Sequence, residues 1–261
     1  MGILNVTPDS FSDGGHFLAC DTAIAHGRQL AEQGADIIDI GGESTRPGAP
    51  AVGVQEELDR VLPVLEGLID TGIPLSIDTQ KPEVMRAAIA VGAAMINDIN
   101  ALQDEDAMPI VAQSNVAVCL MHKQGTPSTM QLNPVYTDVV SEVHDFLLQR
   151  AYSCEAAGIA RQRIVIDPGF GFGKTLEHNF ALLKKLDRLV NSGYPVLAGF
   201  SRKASLGIVT GRPLDQRMAA SLTVAILAAQ QGAAIVRVHD VKETRDAFKI
   251  LQMVYDQSGI D

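Results

Sequence analysis

The chain has 261 residues, 46% of them hydrophobic and 20% charged, a composition that suits one globular domain with a sizeable core. A formal charge of −10 argues against the basic face that nucleic acid or an acidic membrane surface demands. No stretch approaches the roughly 20 apolar residues of a membrane span, and Cys20, Cys119 and Cys154 form neither a CxxC pair nor a disulfide framework. With a strand at the very start and no signal peptide ahead of it, a cytoplasmic protein is expected.

Eight short apolar runs follow one another, each stopping at a polar or charged residue: Gly2–Asn5, Ile37–Asp39 leading into Gly41-Gly-Glu43, Leu75–Asp78, Met95–Asn97, Val116–His122, Ile164–Asp167, Val196–Lys203 and Ile235–His239. The runs are continuous rather than alternating, as in parallel strands buried on both faces. Between them helical periodicity covers Thr22–Gln33, Val54–Ile69, Glu83–Val91 behind a first-turn Pro82, Asp138–Ala157, Leu176–Val190, Asp215–Gln231 and Val241–Tyr255. The pattern predicts a single α/β domain over 1–261, a closed (β/α)8 TIM barrel whose chemistry sits at the carboxyl ends of its strands. The segments after strands 1, 2 and 6 (Val6–Phe17, Gly41–Gly53, Pro168–Thr175) are long and rich in glycine or proline, while the returns are terse, as expected of loops over a site.

Asp78, Asn97 and Asp167 end strands 3, 4 and 6 and should point into the barrel mouth. A buried carboxylate needs donors, which a nitrogen-rich heterocycle would supply. Two other readings stand beside this one: Asp78-Thr79 as a helix cap, and a divalent metal held by the carboxylates. The lack of His pairs at ligand spacing argues against zinc. Ser201-Arg202-Lys203 after strand 7 and Arg237-Val-His239 after strand 8 look like an anion clamp. Asp167-Pro-Gly-Phe-Gly-Phe-Gly-Lys174 fails the Walker pattern at Pro168. Its Phe170 and Phe172 read as a wall for a flat ring. His122 reads as structural, and no side chain has the setting of a nucleophile.

Asn5-Val-Thr-Pro-Asp-Ser-Phe-Ser-Asp-Gly-Gly15, Gly41-Gly-Glu-Ser-Thr-Arg-Pro-Gly48, the Asp167–Lys174 segment, Ser201-Arg-Lys203 and Arg237-Val-His-Asp-Val241 appear in this order along essentially the whole chain. In these motifs the chain resembles the dihydropteroate synthase family. The resemblance implies a pterin site of Asp78, Asn97, Asp167, Phe172, Lys203 and Arg237. It implies a diphosphate site of Asn5, Arg46, Arg237 and His239, with Asn5 a ligand of Mg²⁺. It also implies a p-aminobenzoate pocket shaped by Thr45, Arg46, Pro47, Phe172, Ser201 and Arg202. Asp78, Lys203, Arg237 and His239 would carry the catalysis, and sulfonamides would compete with p-aminobenzoate.

Three departures mark the resemblance. The chain opens directly at strand 1, where members usually carry a further segment; Ala204 stands where many have Ser; Asn100 stands where some have Arg and receives no role. Two other pterin barrels compete: a methyltetrahydrofolate–corrinoid methyltransferase and a non-catalytic binding barrel. Neither calls for an anion clamp. Helix Met218–Gln231 is apolar nearly all round, which predicts a homodimer through barrel helices 7 and 8, as the family resemblance also implies.

Overall fold

The apolar runs fold into a ring of parallel strands. The computed structural model describes residues 1–6, 16–44, 51–125, 130 and 133–255, with side chains from residue 19 in the first helix. Strands β1 (Gly2–Asn5), β2 (Ile38–Gly41), β3 (Leu75–Asp78), β4 (Met95–Asp98), β5 (Ala117–Met121) and β6 (Ile164–Asp167) form one parallel ladder in chain order. Its register pairs Asn5 with Gly41, Gly41 with Asp78 and Asp78 with Asn97, so the carboxyl ends of four strands stand side by side.

β7 (Leu197–Ala198) pairs with β8 (Ile235–Val236). Single bridges, Ile166 to Val196 and Gly2 to Val238, join this pair to the ladder on either side. Val238 donates to the Met1 carbonyl at 2.9 Å and accepts from Ile3 at 3.0 Å, closing the (β/α)8 barrel. β7 is shorter than the run Val196–Lys203 predicts, because the chain turns out of the ladder after Ala198. Lys203 N–H reaches back to the Phe200 carbonyl at 3.4 Å, and Arg202 takes a left-handed backbone, φ 55°.

Ten helices surround the strands among the described residues: α1 (His16–Glu32), α2 (Val54–Leu68), α3 (Pro82–Val91), α4 (Ala107–Ala112), α5 (Val139–Ala156), α6 (Leu176–Lys184), α7 (Leu186–Val190), α8 (Ala204–Thr210), α9 (Met218–Gln230) and α10 (Val241–Tyr255). α1 starts six residues before the periodicity predicts. Leu176–Val190 breaks in two at Lys185, whose φ and ψ of −116° and 25° are not helical. Asp138 caps α5 by accepting from Val140 and Ser141 N–H. Between helices and strands lies the main apolar core, including the fully buried Leu30, Leu65, Leu68, Ile38, Ile40, Ile77, Met85 and Ile96. Inside the ring, Met1, Met95, Cys119, Val165 and Leu197 form a second cluster that fills the interior. The polar strand ends therefore face a stoppered mouth, as a packed barrel requires. No described helix is long and apolar enough to cross a membrane.

Candidate active site

Three consecutive strands build the floor of the mouth. Asp39 lies within β2, fully buried among isoleucines, where an unpaired carboxylate would be very costly. Its Oδ2 accepts from Arg237 Nε at 2.6 Å and from Asn97 Nδ2 at 3.0 Å. Arg237 Nη2 then reaches Asp78 Oδ2 at 2.9 Å. One guanidinium thus ties β8 to both β2 and β3. Burial works against the Arg237 charge, yet the Asp39 and Asp78 carboxylates outweigh it and hold its pKa above the ordinary value. Burial pushes the Asp78 carboxyl up, against the pull of Arg237. The capping alternative for Asp78 finds no support: α3 begins at Pro82 after Lys81, with no side-chain cap, and Asp78 binds Arg237 instead.

Asp78, Asn97, Asp167, Phe172, Lys203 and Arg237 line a single pocket, together with Ile99 and Met121. Asp167 Oδ1 accepts from Gly169 N–H at 2.7 Å, and burial raises its pKa to about 6. Lys203 Nζ stands 4.2 Å from the centre of the Phe172 ring, a cation–π contact. Burial, with Arg237 nearby, lowers the Lys203 pKa to about 8. Phe170 lines the same pocket, and its buried ring stacks on Phe200, centroids 4.6 Å apart and 7° from parallel.

At the rim, Ser201 Oγ and His239 Nδ1 are 3.0 Å apart. Burial, then the charges of Arg237 and Arg202, lower the His239 pKa to about 4, leaving a neutral ring at neutral pH. Arg202 faces Asp240, bonded through Nε at 3.1 Å and through Nη2. Asn5 ends β1 with an exposed side chain; a Cβ on Gly41 would sit 3.9 Å from its Oδ1 and 3.8 Å from Asp78 Oδ2. Thr45, Arg46 and Pro47 lie outside the described residues. Among those described, no group of three His, Cys, Asp or Glu side chains is arranged to hold a metal ion.

Several working residues carry no obvious signal in the sequence. Lys174 is buried with its Nζ 3.0 Å from His122 Nδ1, 3.1 Å from the Phe172 carbonyl and 3.3 Å from the His122 carbonyl. Burial lowers its pKa to about 7 and that of His122 to about 3. This pairing makes His122 a strut for the loop after β6. Lys81 bridges Glu43, at 2.7 Å, and the fully buried Glu57. Glu43 Oε1 in turn accepts from Val52 N–H at 3.0 Å, beyond the 45–50 segment.

Residues 1–239 match the model of the pterin binding enzyme family. The dihydropteroate synthase of Escherichia coli is 48% identical over 253 residues, 97% of this chain and 90% of that protein. That of Neisseria meningitidis serogroup B is 51% identical over 257 residues, 96% and 90%.

The chain belongs to the dihydropteroate synthase family.

Among solved structures, the Xanthomonas albilineans dihydropteroate synthase with 4-aminobenzoic acid superposes with a TM-score of 0.93 at 55% identity, covering 98% of this chain and 92% of that one. The same enzyme in complex with 7,8-dihydropteroate gives 0.90 at 53%, over 98% and 93%. The Yersinia pestis dihydropteroate synthase in complex with a sulfonamide drug gives 0.92 at 48%, over 97% and 93%. As a member of this family the chain is a transferase of folate biosynthesis. It condenses 6-hydroxymethyl-7,8-dihydropterin diphosphate with p-aminobenzoate to give 7,8-dihydropteroate and diphosphate.

Proposed function

We propose that the barrel mouth performs this condensation by gripping the pterin edge while drawing diphosphate away from it, with residues 1–261 acting as one pterin-binding domain. The observation that carries the reading is the convergence of two carboxylates, an amide, two cations and two phenylalanines on one pocket. A pterin presents amino and ring N–H donors along one edge, and Asp167 and Asn97 are suited to accept from them. Lys203 supplies the complementary donor, and Phe172 a face for the ring.

Departure of diphosphate from the pterin methylene leaves a cation delocalised into the ring, which needs no protein nucleophile. Asp78 stabilises that positive charge, while Arg237 and His239 receive the departing anion together with Arg46. His239 is neutral in this setting, so it serves as a hydrogen-bond donor rather than a charge. Ser201 holds it through the 3.0 Å contact at Nδ1. Thr45, Arg46, Pro47, Phe172, Ser201 and Arg202 shape the p-aminobenzoate pocket, and a sulfonamide competes there. An aniline nitrogen attacks best when positioned, which these loops achieve.

Mg²⁺ fits the donor set at Asn5, an exposed amide oxygen at the rim, because this hard ion accepts one protein oxygen and completes its shell with phosphate and water. When bound it neutralises diphosphate charge. The described cysteines are free thiols, in keeping with the cytoplasm. Exposed Met218 and Leu227 on α9, with Ile250 and Val254 on α10, support a homodimer through these helices. Diphosphate release that requires both p-aminobenzoate and Mg²⁺ supports the whole reading. Release without p-aminobenzoate, or methyl transfer instead, overturns it.

A further inference from the structure

The Lys203 ammonium and the Phe172 ring face each other although they come from different loops, one after β7 and one after β6. Something must hold the two loops in register. Asn179, on the first turns of α6 and 1% exposed, bonds to both. Its Oδ1 accepts from Gly171 N–H at 2.7 Å. Its Nδ2 donates to the Thr175 carbonyl at 2.7 Å and reaches Ser205 Oγ at 3.3 Å, two residues beyond Lys203. A backbone donor on one side and a backbone acceptor on the other leave the amide one orientation.

Gly171 is the relay. Its backbone is left-handed, φ +80°, and a Cβ there would lie 3.2 Å from Lys203 Cδ, so the loop rests against the lysine stem. Moving Gly171 moves both the brace of Lys203 and the adjacent Phe172. We propose that Asn179 is a positioning residue for pterin binding, acting by clamping Gly171 and Ser205 so that Lys203 and Phe172 meet. The proposal rests on the reading that Lys203 and Phe172 contact the pterin. Asn179 itself lies behind the loop and is not a catalytic residue.

A double-mutant cycle tests it, with 6-hydroxymethyl-7,8-dihydropterin titrated calorimetrically into the full chain. Asn179→Ala is expected to weaken binding about tenfold in the parent and by clearly less in a Lys203→Ala background, where only the part acting through Phe172 remains. Equal losses in both backgrounds, or none in the parent, overturn the role of Asn179. If Lys203→Ala alone leaves affinity unchanged, the pterin-site reading fails instead, so the two failures are distinguishable. Should Asn179→Ala not fold, Asn179→Asp keeps the acceptor for Gly171 and removes the donors toward the Thr175 carbonyl and Ser205. It should then show the same coupling, with a raised KM for the pterin substrate and a nearly unchanged kcat. A drop in kcat at unchanged KM counts against the proposal.

Discussion

Arg237 and Asp39 sit 198 residues apart in the chain and 2.6 Å apart at Nε and Oδ2. The same carboxylate oxygen also holds Asn97, so one buried residue that never needs to touch substrate aims two that line the pocket. Replacing it with Asn leaves Arg237 paired to Asp78 alone. Asp39→Asn is therefore expected to cost about 3 kcal/mol of stability, as breaking a buried pair does, and to weaken pterin binding. Urea denaturation and a pterin titration measure both. A folded variant with full affinity would make Asp39 a residue of the fold only.

Asp167 links stability to pH in the sense opposite to a salt-bridged carboxylate. Its folded pKa is raised from 3.8 to about 6 by burial, so the folded state binds the proton more tightly than the unfolded one. Its contribution is therefore most favourable at low pH, and is lost as pH rises from 3.8 through about 6. In the proposed pterin site Asp167 accepts as the ionised form, so affinity should fall as pH drops below about 6. Asp167→Asn should raise the Tm of the unliganded protein near neutral pH, by less at acid pH, while abolishing pterin binding. An identical Tm difference at both pH values would remove this account.

Gly169 and Gly211 share a backbone φ of +67° but not their surroundings. A Cβ on Gly211 meets nothing within 4 Å, whereas on Gly169 it would stand 1.9 Å from the His122 carbonyl oxygen. Gly211→Ala should cost about 1 kcal/mol, the left-handed penalty alone. Gly169→Ala must also displace the loop after β6, so it should lose more stability and most of its pterin affinity. Parallel thermal melts of the two variants decide the point; equal costs would mean that the loop yields freely.

Arg46→Ala should lower turnover on the order of 100-fold, the scale of a misplaced reacting group, with a Tm close to that of the parent. Steady-state kinetics beside a melting curve measures both. Comparable losses in the two would make the arginine an element of folding rather than of the p-aminobenzoate and diphosphate sites.

Much of this architecture is legible in the chain because parallel strands announce themselves. Buried on both faces, they are short apolar runs, and their polar stops Asp78, Asn97 and Asp167 all reach one pocket. What escapes is interior polarity. Asp39 reads only as the stop of the second run, although a carboxylate among isoleucines requires a cation, and Arg237 answers it from the far end of the chain. Lys174 closes a glycine-rich motif that suggests an exposed loop, yet it turns inward to His122. Phe170 and Phe172 both reach the pocket, as their place in the glycine-rich motif suggests, but their ring partners escape the sequence: one stacks on Phe200 and the other lies under Lys203. α4 escapes for a different reason: six residues containing Pro109 are too short to show a helical period.

The seam between Gly2 and Val238 has a consequence for biosynthesis. A growing polypeptide emerging from a ribosome can stack its first six strands as they appear, but the guanidinium that orients their tips arrives only with residue 237. Until then the ring stays open and Asp39 has no counter-ion. Competence must therefore be acquired late and in one step, and truncated products should be inert rather than weakly active.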